Sequence, residues 1–171
     1  MRKKIFAFLL LSALYAGAQE VPDWENPIVV GINKEPYHAT LTLPSQKADC
    51  KEIISLNGKW RFQWSADPGK RPADFYKNDF NTDTWDTITV PGAWQLQGYG
   101  KPIYSNVNYP FQKDAPKVTS EPPAEYYSYG HRNPTGSYVT TFEVTPDMKD
   151  KCLYLHFEGV KSAMYVWVNG E

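Results

Sequence analysis

The chain has 171 residues and a formal net charge of −1, with 18 basic residues against 19 acidic ones. The basic residues are scattered, which argues against nucleic acid or an anionic membrane as a partner, since both need clustered positive charge. Aromatic residues make up 15% of the chain and there are 14 prolines and 11 glycines, a balance that disfavours long helices and suits a turn-rich β core.

Residues 1–18 read as a secretory signal peptide. Arg2, Lys3 and Lys4 precede an apolar run from Ile5 to Ala16, and Ala16-Gly17-Ala18 supplies an A-x-A cleavage site before Gln19. The run is shorter than the ~20 residues a membrane span needs. Export to a periplasmic or extracellular space is expected, with no membrane attachment after cleavage. Residues 19–50 read as an irregular arm, because Pro22, Pro27, Pro36 and Pro44 interrupt any regular element.

Residues 51–171 carry the pattern of a β-sandwich. In SLNGKWRFQW (55–64), Leu56, Trp60, Phe62 and Trp64 alternate with Arg61 and Gln63, which is the period of a half-buried strand. A single helical turn is expected around Ala73 to Lys77. TWDTITVPG predicts a short strand around Ile88 and Val90. GSYVTTFEVT alternates through Tyr138, Thr140, Phe142 and Val144. CLYLHFEGV turns Leu153, Leu155 and Phe157 inward, and SAMYVWVNGE reads as a central strand. Short strands between Pro/Gly turns indicate an all-β, antiparallel sandwich or jelly roll. Cys50 and Cys152 could pair in an oxidising compartment or remain buried thiols. His38, His131 and His156 show no metal-ligand spacing.

Two stretches stand out. Asn169-Gly170 after an alternating strand is a strong signal for a type I′ hairpin turn. A hairpin needs a returning strand and only Glu171 remains, so a chain truncated at its C-terminus is expected. The second stretch is KPIYSNVNYP (101–110), where Asn106 and Asn108 stand in an aromatic segment bounded by Pro102 and Pro110. Such asparagines either bond the backbone of a turn or read a polar ligand.

DWENP (23–27), SLNGKWRFQW (55–64), VPGAWQLQGYGKPIYSNVNYPF (90–111), NPTGSY (133–138) and FEGVKSAMYVWVNG (157–170) occur in this order. The set resembles the N-terminal sugar-binding domain of glycoside hydrolase family 2, of the LacZ β-galactosidase type, across essentially all of 23–171. The resemblance implies a galactose-binding-domain-like jelly roll. It also implies a larger enzyme, a homo-oligomer, whose later TIM barrel supplies two glutamates for retaining hydrolysis of terminal β-D-galactosides. No glutamate here lies in a matching motif, so this chain alone is expected to be inactive.

By the same resemblance Asn106 hydrogen-bonds galactosyl hydroxyls and Val107 forms the apolar wall beside it. Asp23, Asn26 and the carbonyl of Val29 match part of a peripheral Mg²⁺ site, incomplete in this chain; the bland reading is that Asp23 and Asn26 cap a turn. Trp94, Tyr99 and Tyr104 either stack on sugar or pack in the core or between domains. The Tyr-rich AEYYSYGHRNPTG (124–136) departs from the family pattern. A free-standing, non-catalytic carbohydrate-binding module is the alternative.

Overall fold

The computed structural model describes residues 21–36, 53–102 and 113–171. Three strands form one antiparallel sheet: β1 (Gly58–Ser65), β2 (Asp86–Val90) and β3 (Thr135–Val139), in the order β2-β1-β3. The longest helical segment among the described residues is the four-residue 3₁₀ turn Trp94–Gln97. The described fold is thus all-β.

The alternation in β1 sets which face is buried. Trp60 stands opposite Ile88 on β2, and Phe62 stands opposite both Asp86 on β2 and Tyr138 on β3. Phe62 is 0% exposed and Ile88 1%, so the centre of the sheet face is sealed. Burying a side chain of this kind contributes about 1.5–3 kcal/mol. Arg61 and Gln63 point the other way and are exposed, as their place in the period requires. On that outer face the Lys59 ammonium donates to the Thr89 hydroxyl of its cross-strand partner at 2.7 Å.

The expected helical turn exists as one turn. The Lys77 N–H donates to the Asp74 carbonyl at 3.0 Å, and the two side chains form an exposed ion pair at 3.0 Å. Asp74 holds the Lys77 pKa above its ordinary value, by hydrogen bond first and by charge second.

The Asn-Gly turn also forms. Asn169 has φ 55° and Gly170 φ 93°, the two positive values a type I′ turn needs. Val168 and Glu171 exchange both backbone hydrogen bonds across it, at 2.8 and 3.2 Å.

The remaining strand expectations are corrected. The strand expected over 136–145 ends at Val139, and Phe142 is exposed. Residues 152–160 and 162–168 form no strand, and Leu153, Leu155, Phe157, Met164 and Val166 are each at least 41% exposed. A period of two specifies which face a strand would bury; it does not supply the neighbour, and among the described residues no strand pairs with these stretches. Cys152, expected buried, is an exposed free thiol. His156, expected in a strand, is likewise exposed. Cys50, His38 and the signal region lie outside the described residues.

Candidate functional site

The segment that leads toward Asn106 is built on the edge of β2. After Val90 the chain enters the 3₁₀ turn Trp94–Gln97 and ends it at Gly98, in the left-handed region at φ 97°. Trp94 and Tyr99 both pack on Phe62, with ring centroids 6.1 and 4.7 Å away. Both rings are half-buried and pack on the buried Phe62. Tyr104 lies outside the described residues.

Gln97 makes the most informative contact. Its Oε1 accepts the Thr89 N–H at 2.8 Å, and its Nε2 donates to the Thr89 carbonyl at 3.0 Å. One side-chain amide thereby satisfies both backbone groups of Thr89 on the outer edge of β2, where a further strand would otherwise bond. Gly92 leaves room for it: a Cβ there would stand 2.8 Å from Gln97 Nε2 and 3.1 Å from the Thr89 carbonyl oxygen. Tyr99 is also hydrogen-bonded to Asp86; burial first, then that bond and the carboxylate's charge, raise the Tyr99 pKa.

The DWENP arm reaches three distant parts of the chain. Asp23–Glu25 form a 3₁₀ turn after Pro22. The Arg71 guanidinium lies over the Trp24 indole at 5.1 Å, and the Trp24 ring meets Tyr165 edge-on at 6.2 Å. Glu25 Oε1 accepts from the Val118 N–H at 3.2 Å and from the Thr119 hydroxyl at 3.0 Å. Beyond Tyr165 the rings of Trp167 and Tyr76 continue as a stack, with centroids 5.9 and then 5.2 Å apart. Burial, reinforced by the Asp23 charge and opposed by Arg71 and a Trp24 backbone hydrogen bond, raises the Tyr165 pKa.

Asn26 caps a turn. Its Oδ1 accepts the Ile28 N–H at 3.1 Å, its own N–H donates to the Asp23 carbonyl at 3.0 Å, and its carbonyl accepts from Val29 at 3.1 Å. Asp23 is exposed. The exposed carboxylate, the second lone pair of Asn26 Oδ1 and the Val29 carbonyl are hard oxygen donors, which fits Mg²⁺ in kind. Among the described residues no group of three or more His, Cys, Asp or Glu could hold a metal.

Asn106, Val107 and Asn108 lie outside the described residues. Glu25, Gln97 and Asp86 were not singled out in the sequence. No local signal marks them, because each bonds a partner chosen by the fold.

The family model described as "Glycosyl hydrolases family 2, sugar binding domain" matches residues 53–171. This chain belongs to that family. It is 40% identical over 166 residues to a beta-galactosidase of Priestia megaterium, covering 91% of this chain and 15% of that protein. It is 38% identical over 149 residues to a beta-galactosidase of Halalkalibacterium halodurans, covering 84% of this chain and 14% of the relative. A beta-galactosidase large subunit of Lactobacillus acidophilus is 41% identical over 122 residues, covering 68% of this chain and 19% of the subunit. The chain thus spans about one-seventh of the length of the first two relatives. The matched range contains the β1 motif LNGKW, the VPGAWQLQGYG segment after β2 and the GSY of β3.

Proposed function

We propose that this chain is the N-terminal sugar-binding part of an exported, retaining β-galactosidase. Likeness to beta-galactosidases through 91% and 84% of the chain carries the reading. In it, Asn106 binds the galactosyl unit. A side-chain amide offers two donors and one acceptor oxygen, so it reads a hydroxyl in either sense. It is neutral, so it leaves the pKa split between the barrel's acid and nucleophile undisturbed. Those two carboxylates must stand ~5–5.5 Å apart across the bond they cleave. They belong to the barrel, and the 171-residue chain alone is inactive. Val107 forms apolar wall beside Asn106.

The domain completes a jelly roll in the longer protein, and the exposed apolar residues of 153–168 are buried there. Residues 1–18 direct export. Asp23, Asn26 and the Val29 carbonyl hold part of a Mg²⁺ site, and the ion would supply positive charge to fix the arm. Chelation should then lower the melting temperature of the full-length product, and Asp23→Asn should remove that dependence. The full-length enzyme is a homo-oligomer; sedimentation of the purified product tests this, and a monomer would refute it.

The experiment is to express the complete reading frame and assay it on aryl β-galactoside, β-glucuronide and β-mannoside, with the 171-residue chain beside it. The expected result is hydrolysis of the galactoside with retained anomeric configuration, and none by the short chain. Preference for another glycoside, or a reading frame that stops after codon 171, would overturn the proposal. In the latter case binding of galactosides by the chain alone would support a carbohydrate-binding module.

A further inference from the structure

The turn that carries Asp23, Asn26 and Val29 is pinned through the two residues between Asp23 and Asn26. Trp24 contacts two groups: the Arg71 guanidinium, 5.1 Å from its ring, and the Tyr165 ring, edge-on at 6.2 Å. Both partners are themselves held. Arg71 Nη1 donates to the Pro68 carbonyl at 2.6 Å, and Tyr165 stacks on Trp167, which stacks on Tyr76. Glu25 Oε1 accepts from the Val118 N–H and the Thr119 hydroxyl. The turn also closes on itself, since the Asn26 N–H donates to the Asp23 carbonyl, so a shift of Trp24 or Glu25 shifts both neighbours. Trp24 and Glu25 are half-buried while Asp23 is exposed. Further along, the arm buries little: Ile28 and Val30, on either side of Val29, are 86% and 88% exposed.

We propose that Trp24 and Glu25 are positioning residues for a divalent-cation site at Asp23, Asn26 and the Val29 carbonyl, and that this pinning favours Mg²⁺ over Ca²⁺. This rests on the Mg²⁺ reading of those three residues given above. The physical reason is preorganisation. Donors on a surface turn lose conformational freedom when they close on an ion, and a turn fixed beforehand loses less. Mg²⁺ demands near-ideal octahedral geometry at short range, whereas Ca²⁺ accepts longer and less regular contacts. Loosening the turn therefore penalises Mg²⁺ more. Trp24 suits the task because a wide ring takes a guanidinium over its face and a second ring against it at once. Glu25 suits it because a carboxylate bonds neutral donors more strongly than a neutral acceptor does. Its Oε1 is committed to Val118 and Thr119, so Glu25 holds the turn and Asp23 supplies the charge.

The test titrates the full-length product with MgCl₂ and, separately, CaCl₂ in a calorimeter; the binding that Asp23→Asn removes defines the site. Trp24→Ala is expected to weaken Mg²⁺ binding about tenfold, the scale of losing a group that orients metal ligands. It should weaken Ca²⁺ binding less, so the ratio of the two affinities falls. Trp24→Phe keeps a ring and should recover most of the loss. Glu25→Ala should weaken Mg²⁺ binding in the same way, whereas Glu25→Gln keeps the acceptor oxygen and should bind as wild type does. A lowered melting temperature alone would follow from any structural role, so the Mg²⁺ to Ca²⁺ ratio decides. An unchanged ratio in both alanine variants, while Asp23→Asn abolishes binding, would overturn the proposal and leave the Mg²⁺ reading standing. Glu25→Gln as damaging as Glu25→Ala would make Glu25 a ligand and overturn its positioning role. Should Asp23→Asn leave the Mg²⁺ titration unchanged, the Mg²⁺ reading falls and this inference with it. If Trp24→Ala does not fold, Tyr165→Leu removes one partner of the same ring and is judged by the same ratio.

Discussion

Gly136 lies directly beneath Trp94: a Cβ at 136 would stand 2.6 Å from Trp94 Cζ3 and 2.7 Å from Phe62 Cε2. Phe62 is fully buried and the half-buried Trp94 packs against it, so neither ring can swing away cheaply. The glycine of NPTGSY is therefore a packing requirement. It lets β3 sit opposite Trp64 while Trp94 covers Phe62. Gly136→Ala should destabilise the fold by about 1–3 kcal/mol, the usual cost of overpacking a filled core. Urea unfolding checks it; a midpoint equal to wild type would show that the rings can shift.

A second prediction concerns the β2 edge. Gln97 covers the Thr89 donor and acceptor, and Gly92 gives it space. Gly92→Val should displace the amide and reproduce the effect of Gln97→Ala. Both should expose an edge able to pair with another chain, raising concentration-dependent association in sedimentation. Stability should fall by about 0.5–1.5 kcal/mol for each hydrogen bond lost. Association no stronger than that of the wild type in both variants would contradict this role.

The tyrosines give an alkaline signature. Burial raises the Tyr138 pKa above its reference of 10.0. Tyr99 is raised by burial and then by Asp86, and Tyr165 chiefly by burial. A group whose folded pKa is raised keeps its proton more tightly in the fold. Its contribution to stability is fully present below the unfolded value and is lost as pH rises through the folded one. Stability should therefore hold up to about pH 10 and decline above it. Phenolate absorbance and chemical denaturation, run together, should show the same window. Tyr138→Phe should flatten the decline, and an unchanged slope in that variant would exclude Tyr138 as a source.

How much of this was readable in the sequence depends on how local each feature is. The alternation of SLNGKWRFQW placed β1 and its buried face, because side-chain direction in a strand is set by the residue count alone. Asn169-Gly170 placed its turn, because only positive φ at both positions closes it and these two residues tolerate that. Pairing was a different matter. The stretch around Leu155 alternates as β1 does and the one around Val166 is apolar on both faces, yet both residues are exposed, since a strand also needs a neighbour.

The long-range contacts of Glu25 and Gln97 were silent in the sequence for a related reason. Glu25 meets Val118 across 93 positions, and Gln97 meets Thr89 only because the chain folds back on the strand edge. Composition left Trp94 and Tyr99 open between sugar contact and packing, and it gave no hint that both rings lie on Phe62. Asn106 was singled out by its motif and lies outside the described residues.

The central claim is that this domain lends its enzyme a galactose-reading asparagine. The most direct test is Asn106→Ala in the full-length product, compared with wild type for kcat/KM on an aryl β-galactoside. Leaving a buried sugar hydroxyl unpaired costs about 1–3 kcal/mol, which corresponds to a loss of roughly fivefold to 150-fold. A loss in that range with an unchanged melting temperature is the result expected. Wild-type turnover by Asn106→Ala would contradict the account.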